Sequence, residues 1–319
     1  MTETLLINKY QPLYFTDFND NEIIAILNTL IQIDDLNILF IGNISSGKTT
    51  ILNALIREYY KNYSLYEYDC NVLYINSLKE QGINYYRTDV KTFCQTSSCI
   101  KGKKKIVVLD DIDFINEQSQ QVFRNCIDKY NHNVHFISSC SNNQKVIESL
   151  QSRLTIIKIK SMQKNNLINI INKIKKNENI EIDEDALNFV VNISNGSVKV
   201  IINYMEKFKL LDTKITLYLA NKLCSNISFL DFEEYTNFVL NGQLNDAISL
   251  IFKFNKSGYS VMDILDNYFI FIKITNILDE DQKYKIIPLL CKYITIFHNI
   301  HEDDIELALF TNNLIKHLM

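Results

Sequence analysis

Residues 42–49 read Gly42-Asn43-Ile44-Ser45-Ser46-Gly47-Lys48-Thr49. This stretch matches the pattern GxxxxGK[ST], in which the backbone N–H groups of a glycine-rich turn surround phosphate groups. The apolar run over residues 37–41 predicts a strand before this turn, and residues 49–60 predict a helix after it. The motif requires this strand, turn and helix in this order, so we predict a phosphate-binding loop.

The predicted ligand of the loop is ATP with Mg²⁺. We expect Lys48 to reach the β- and γ-phosphates and the Thr49 hydroxyl to bind Mg²⁺. The N-terminus of the following helix adds positive potential beside the phosphates. The predicted nucleotide-binding residues of this segment are Gly42, Asn43, Ile44, Ser45, Ser46, Gly47, Lys48, Thr49 and Thr50.

A second motif, Val107-Val108-Leu109-Asp110-Asp111-Ile112-Asp113, places carboxylates directly after an apolar strand. Ligands of open α/β sheets collect at the carboxyl ends of strands, which is where Asp110 lies. We expect Asp110 to bind Mg²⁺ through water and Asp111 to orient the attacking water. By itself the motif is better interpreted as an acidic turn after a buried strand. The loop upstream favours the catalytic interpretation.

Short apolar runs alternate with helical patterns over residues 1–160, which is typical of a parallel α/β sheet. Further strands are predicted at residues 72–75, 106–109, 134–138 and 155–159. After residue 160 the strand signal stops, and the pattern predicts a small helical domain over 161–222 and an all-α domain over 223–319. Asp183, Ser197 and Ser260 precede apolar helical runs, so we expect them to cap helices.

Composition excludes several classes of protein. Of 319 residues, 47% are hydrophobic and 22% are charged, which indicates a globular protein rather than a disordered one. The net charge of −4 provides no global field for nucleic acid, so any DNA contact must be local or must arise within an assembly. The seven cysteines contain no CxxC pair and predict free thiols in a reducing compartment. No apolar run approaches the length of a membrane span, so we expect a soluble intracellular protein.

Beyond these two motifs, an ordered set of segments resembles the small subunits of replication factor C, the AAA+ clamp loader of archaea and eukaryotes. The resemblance covers nearly the whole chain. Individually several of the segments are weak, and their shared order and spacing make the match specific. They are NKYQP at 8–12, NSLKEQGI at 76–83, SQQVFR at 119–124, ESLQSR at 148–153, NGSVK at 195–199 and GYSVMDI at 258–264.

This resemblance implies an AAA+ ATPase module, a helical lid and a C-terminal collar that assembles a hetero-pentameric ring. The implied partners are the other clamp-loader subunits, the sliding clamp and primer–template DNA, whose backbone is gripped without reading its sequence. The implied location is the nucleus of a eukaryote, or otherwise the cytoplasm or a viral replication site.

The resemblance also assigns roles to single residues. Arg153 is implied to act in trans on the γ-phosphate bound by the neighbouring subunit, where an arginine can accelerate phosphoryl transfer by about 10³–10⁵. Tyr10 and Pro12 are implied to lie beside the adenine. The basic residues implied to contact DNA phosphates are Lys79, Arg87 and Arg124. Without the resemblance, each of these basic residues is more simply a solvated surface charge.

Four positions depart from the family pattern. Asp111 stands where the family has a catalytic Glu, and Ser141 stands where an Asn senses the γ-phosphate. Lys199 replaces the sensor Arg of the lid, which keeps the charge but loses the bidentate fork. Gln11 replaces an Arg near the nucleotide. These departures predict tight ATP binding with slow or partly defective hydrolysis.

Three functions stay open from the sequence. The chain is an active ATPase subunit of a clamp loader, a non-catalytic subunit that holds ATP and donates Arg153, or a different AAA+ protein of DNA replication, such as an origin initiator or a branch-migration motor. Proteins of the last class usually carry a C-terminal winged-helix module with short strands and basic helices. Residues 225–319 predict helices alone and are not basic.

Overall fold

The computed structural model describes residues 5–18, 20–76, 83–194, 196–211, 213–224, 227, 229–297 and 303–318. The chain divides into two compact units, the first formed by residues 1–167 and 196–202 and the second by residues 168–195 and 203–319. The three-domain division predicted from the sequence, with limits at residues 160 and 222, stays a prediction.

A five-stranded parallel sheet forms the centre of the first unit, in the order β2-β3-β4-β1-β5. All strands predicted from the sequence are present, and the fold class is confirmed. The strands are β1 (Ile38–Gly42), β2 (Val72–Asn76), β3 (Lys105–Asp110), β4 (Val134–Cys140) and β5 (Thr155–Ile159).

Strand β3 begins one residue earlier than predicted because a lysine is accommodated inside it. Lys105 is 4% exposed, and its Nζ donates to the Phe93 carbonyl oxygen at 3.2 Å. A buried ammonium is tolerated when hydrogen-bond acceptors replace the water that it loses. The apolar pattern used for the prediction had excluded this residue from the strand.

Helices make up nearly all of the remaining regular structure. A π-helical turn over Tyr86–Val90 joins two short helices. The α-helices are α1 (Leu6–Lys9), α2 (Asn21–Ile33), α3 (Lys48–Tyr59), α4 (Leu65–Tyr68), α5 (Ile83–Tyr85), α6 (Lys91–Gln95), α7 (Glu117–Tyr130), α8 (Glu148–Gln151), α9 (Lys164–Glu178), α10 (Glu184–Ile193), α11 (Val198–Leu211), α12 (Leu217–Cys224), α13 (Phe229–Leu240), α14 (Leu244–Lys256), α15 (Val261–Ile274), α16 (Glu280–Phe297) and α17 (Ile305–Leu318).

The part of the chain after residue 224 that the structure describes contains helices and no strand, as expected for an all-α C-terminal region. None of the described helices combines the length and the apolar character needed to cross a lipid bilayer.

Both faces of the sheet are covered, which explains why its strands are almost continuously apolar. Successive side chains of β1 point to opposite faces. Ile38 and Phe40 join a core cluster that includes Leu55 of α3, whereas Leu39 joins a cluster that includes Phe123 of α7. The sheet is therefore fixed between α3, which begins with Lys48 and Thr49, and α7, which carries Arg124.

Two of the three predicted helix caps are confirmed. Ser197 and Ser260 each accept the backbone N–H three residues further on, at 3.3 and 3.0 Å. Asp183 occupies the N-cap position of α10 as predicted, but its side chain makes no cap hydrogen bond. Its carboxylate pairs instead with the Lys214 ammonium at 2.8 Å.

A buried histidine connects the sheet to the C-terminal end of α2. His135 is fully buried in β4, where its Nδ1 accepts the Leu36 N–H at 3.3 Å and its Nε2 lies 3.1 Å from Asp34 Oδ1. The Tyr59 hydroxyl also donates to this Asp34 oxygen, at 2.9 Å. Since Nδ1 accepts, the proton is on Nε2 and the ring is neutral. Burial lowers the pKa of His135 from the usual 6.5 to about 4, against the opposing effect of Asp34.

We predict that the protein loses stability as the pH falls from 6.5 to 4. In this interval the histidine of the unfolded chain binds a proton that the buried ring does not, so acid favours unfolding. The complete shift corresponds to about 3 kcal/mol. Denaturant unfolding at a series of pH values measures this loss.

The control is a pair of histidine substitutions. His135→Gln removes the titration and should flatten the pH dependence, whereas His132→Gln, at an exposed position before β4, should keep the wild-type slope. Equal slopes in wild type and His135→Gln would contradict the assignment.

Candidate nucleotide-binding site

The order of the strands brings the predicted site residues together. Strand β4 pairs with both β1 and β3, so the carboxyl ends of these three strands lie side by side. The phosphate-binding loop follows β1, Asp110 ends β3, and Ser139 and Ser141 lie at the end of β4. In open parallel sheets this edge holds the ligand crevice.

The loop between β1 and α3 needs its two glycines for different reasons. A side chain at Gly42 would place its Cβ 2.7 Å from the Ile159 carbonyl oxygen of β5, so this position requires close backbone approach. Gly47 has φ +94°, a conformation that other residues adopt at a cost. Within the loop the Ser46 N–H donates to the Asn43 carbonyl at 3.2 Å. The first turn of α3 leaves its N–H groups without intrahelical acceptors, as every helix start does.

Lys48 is a buried cation that lacks an anionic partner. It is 7% exposed, and its Nζ donates to the carbonyls of Gly42 and Asn43 at 3.0 and 3.1 Å and to Ser141 Oγ at 3.3 Å. None of the described carboxylates forms an ion pair with it. A buried charge is costly unless an opposite charge compensates it. The loop therefore fits an anionic ligand, and the contact with Ser141 is consistent with the predicted phosphate-sensing position.

Asp110 accepts hydrogen bonds from two other parts of the chain. The Thr49 hydroxyl donates to its Oδ2 at 2.8 Å, and the Ser139 hydroxyl donates to its Oδ1 through a short bond. Hydroxyl and carboxylate oxygens are the ligands that Mg²⁺ prefers. Thr49 and Asp110 thus fit the predicted metal role.

Ser139 is a site residue that the sequence analysis missed. It is fully buried in β4, donates to Asp110 and accepts the Asp111 N–H at 3.0 Å. The signal in the sequence is the polar pair Ser138-Ser139 inside a strand that is otherwise apolar.

The predicted water-orienting residue occupies an uncommon backbone conformation. Asp111 has φ +54°, and the turn that follows contains Asp113. Burial raises the pKa of Asp111 above its usual value, the neighbouring charges of Asp110 and Asp113 raise it further, and Lys48 opposes both. A carboxylate with a raised pKa is a stronger proton acceptor.

Asp113 connects the turn after β3 to the turn after β4. Its Oδ2 accepts the N–H groups of Ser141 and Asn142 at 3.2 and 3.1 Å. This carboxylate therefore fixes the backbone of the predicted sensor, while the Ser141 hydroxyl faces Lys48.

The structure also describes the other loop residues and the two residues predicted to lie beside the adenine. Asn43 is exposed and its Nδ2 is 3.5 Å from Ser161 Oγ, Ile44 is 83% exposed, and Thr50 is half-buried. Tyr10 and Pro12 are both half-buried after α1. The Leu13 carbonyl accepts a hydrogen bond from Arg57 of α3 at 3.5 Å, which places their segment against the helix of the loop.

Neither Arg153 nor Lys199 makes a hydrogen bond or ion pair with the described residues of the phosphate-binding loop. Arg153 follows α8 and is paired with Asp128 of α7 at 2.6 Å. Lys199 is exposed at the second residue of α11, and no hydrogen bond or ion pair joins it to the described residues of the loop. The cis role of Lys199 and the trans role of Arg153 stay predictions.

Two of the three residues predicted to contact DNA lie in the part of the chain that the structure describes. Arg87 is exposed in the π-helical turn, and Arg124 projects from α7 with about a third of its side chain exposed. Tyr86 and Phe123 from the same two elements share one core cluster, so the two arginines lie on neighbouring elements. Lys79 and most of the 76–83 motif lie outside the described residues.

Comparison with known proteins supports this interpretation. Residues 38–162 match the family model described as "ATPase family associated with various cellular activities (AAA)". Replication factor C small subunit 2 of Pyrobaculum islandicum is 28% identical over 260 residues, which cover 81% of this chain and 80% of that protein. The replication factor C small subunit of Methanococcus maripaludis is 27% identical over 88% of both chains. The resemblance predicted from the sequence is confirmed.

Among solved structures, the Holliday junction branch migration motor RuvB of Thermotoga maritima superposes with a TM-score of 0.53. Its sequence identity is 12%, and the match covers 75% of this chain and 84% of that one. At this identity the match shows a shared fold.

We predict that Lys48→Ala weakens ATP binding by about 10- to 100-fold, because hydrogen bonds to a charged group contribute about 1.5–3 kcal/mol. Titration of the purified chain with a fluorescent ATP analogue measures the affinity. The matched control is Lys61→Ala, which removes a surface lysine just after the same helix, where it pairs with Glu58 at 2.7 Å. Unchanged affinity in Lys48→Ala would show that the nucleotide is bound elsewhere.

Proposed function

We propose that this relative of the replication factor C small subunits is itself a small subunit of a clamp loader, which uses ATP to place a sliding clamp on primer–template DNA. The observation that carries the proposal is the buried Lys48 ammonium, which pairs with none of the described carboxylates and lies beside the Thr49–Asp110 pair at the joined ends of three strands. The archaeal relatives named above match this chain over about four-fifths or more of its length.

ATP would be held by its phosphates. Lys48 would exchange its carbonyl partners for phosphate oxygens, and the N–H groups at the start of α3 would bind the same anion. Thr49 and Asp110 would hold Mg²⁺, which neutralises charge on the β- and γ-phosphates when it is bound. Tyr10 and Pro12 would lie against the adenine.

Hydrolysis would depend on Asp111 and Ser141. Asp111 would orient and deprotonate the attacking water, and Ser141 would sense the γ-phosphate beside Lys48. A carboxylate shorter than Glu holds the water further from its position, and a serine hydroxyl reaches less far than an amide. We therefore propose that ATP is bound tightly and hydrolysed slowly.

Assembly into a ring would complete a second nucleotide site. Arg153 would reach the γ-phosphate held by the neighbouring subunit, while Lys199 would approach the nucleotide of its own chain. The helices after residue 224 would form the collar that holds the pentamer together. Arg87, Arg124 and Lys79 would contact the DNA backbone, which gives affinity without sequence preference.

A second candidate function has a specific observation in its favour. Asp111 and Ser141 both depart from the pattern of an active site, whereas the loop residues Lys48 and Thr49 are intact. This combination also suits a subunit that holds ATP without turning it over and serves its neighbour through Arg153. A different AAA+ protein with a winged-helix module is not favoured, because the described residues after 224 form helices alone.

We predict slow ATP turnover by the reconstituted complex at the site of this chain, and its loss in Asp111→Asn. A positioned general base contributes about 10²–10⁴ in rate, so the loss should be at least tenfold. Asp111→Glu should increase turnover, because the longer side chain restores the reach of the carboxylate. Lys48→Ala in the same complex defines the background. Equal turnover in wild type and Asp111→Asn would instead identify the non-catalytic subunit.

The proposed function is tested by clamp loading. The chain, its partner subunits and the sliding clamp are combined with a primed circular DNA, and clamp retention on the DNA is measured with and without ATP. We expect ATP-dependent retention that Lys48→Ala reduces and Lys61→Ala does not. A complete, assembled complex that retains no clamp would contradict the proposal.

A further inference from the structure

The guanidinium of Arg153 is held on two sides by its own chain. Its Nε donates to Asp128 Oδ1 at 2.6 Å, and its Nη1 donates to the Ser149 carbonyl oxygen at 2.6 Å. A longer contact of 3.4 Å joins Nη1 to Ser152 Oγ. Because the guanidinium is planar, two fixed N–H groups determine the direction of the rest of the group.

These contacts leave the Nη2 edge of the Arg153 guanidinium unused. Its side chain is one-third exposed, and no described residue accepts a hydrogen bond from Nη2. An oriented arginine with one unused edge is suited to bind an anionic oxygen that a second molecule presents.

The position of Asp128 is unfavourable for its own helix. It lies in the last turn of α7, where the helix dipole disfavours negative charge by about 0.3–1 kcal/mol. Ile127 and Phe123 of the same helix are buried in the core, so the backbone that carries Asp128 is fixed. Its carboxylate also approaches Arg124, at the weaker distance of 3.9 Å.

We infer that Asp128 is a positioning residue that holds Arg153 in the orientation needed to meet the phosphate of a neighbouring subunit. This inference rests on the proposed trans role of Arg153. Asp128 itself touches no nucleotide and acts through the arginine alone. A partly exposed ion pair contributes about 0–1 kcal/mol to stability, so fold maintenance is the smaller part of its effect.

The test uses the complete complex with every nucleotide site except that of the neighbour blocked by P-loop substitutions, including Lys48→Ala in this chain. Single-turnover hydrolysis then reports the site that Arg153 serves. The variants of this chain are Asp128→Asn, Arg153→Ala and the double substitution. Glu117→Gln is the matched control, because it makes the same charge change at an exposed position on the same helix.

We expect Asp128→Asn to lower the rate about tenfold, within the roughly 10²-fold that a misplacement of 1 Å can cost. The ATP concentration at half-maximal rate should change less than about twofold, because ground-state binding does not use this arginine. The double variant should be no slower than Arg153→Ala, and Glu117→Gln should match wild type.

Failure of the positioning role of Asp128 and failure of the proposed trans role of Arg153 give different results. If Arg153→Ala slows hydrolysis and Asp128→Asn does not, the positioning role is overturned and the trans arginine stands. If Asp128→Asn slows the Arg153→Ala complex further, Asp128 acts by another route and the inference is again overturned. If Arg153→Ala leaves the rate unchanged in an assembled complex, the proposed trans role itself fails.

Discussion

The carboxylate of Asp110 connects the parts of the chain from which the site is built. It ends β3, accepts the hydroxyl of Thr49 after β1, and accepts the hydroxyl of Ser139 in β4. Because Ser139 also accepts the Asp111 N–H, the same hydroxyl holds the backbone of the residue after Asp110. One shared carboxylate thus joins the phosphate-binding loop, the predicted metal-binding residues and the predicted water-orienting residue.

Contacts within the chain orient the phosphate-binding loop. Gly47 has a positive φ, and the Lys48 ammonium lies between the Gly42 carbonyl and Ser141 Oγ. A ligand that replaces these weak partners with phosphate oxygens meets a cation whose orientation is fixed, so little ordering cost opposes binding. The proposed slow turnover has its reason in the length of Asp111, whose side chain is shorter than the Glu of the family pattern.

Helix α7 contacts the segment between β4 and β5 near both of its own ends. Near its start, Gln120 is buried, donates to the carbonyl oxygens of Ile115 and Lys145 at 3.2 and 2.9 Å and accepts the Ile147 N–H at 2.9 Å. Near its end, its last turn supplies the carboxylate that holds Arg153. Both ends of α7 are thus held to the segment between β4 and β5, which carries Ser141 at its start and Arg153 at its end.

Local sequence patterns were enough to predict the phosphate loop, the carboxylate at the end of β3 and all five strands, because each depends on local spacing or on apolar runs covered on both faces. The start of β3 was missed because Lys105 is buried with acceptors at Phe93 and Thr96, in and just after α6. Contacts between distant residues could be seen only in the folded structure. Ser139 reaches Asp110 because β4 lies between β1 and β3, and Asp128 reaches Arg153 because α7 packs beside the turn before β5. The Asp183 carboxylate likewise pairs with Lys214 rather than with a backbone N–H group of its own helix. Local patterns cannot specify such partners, because strand order and helix packing set which side chains meet.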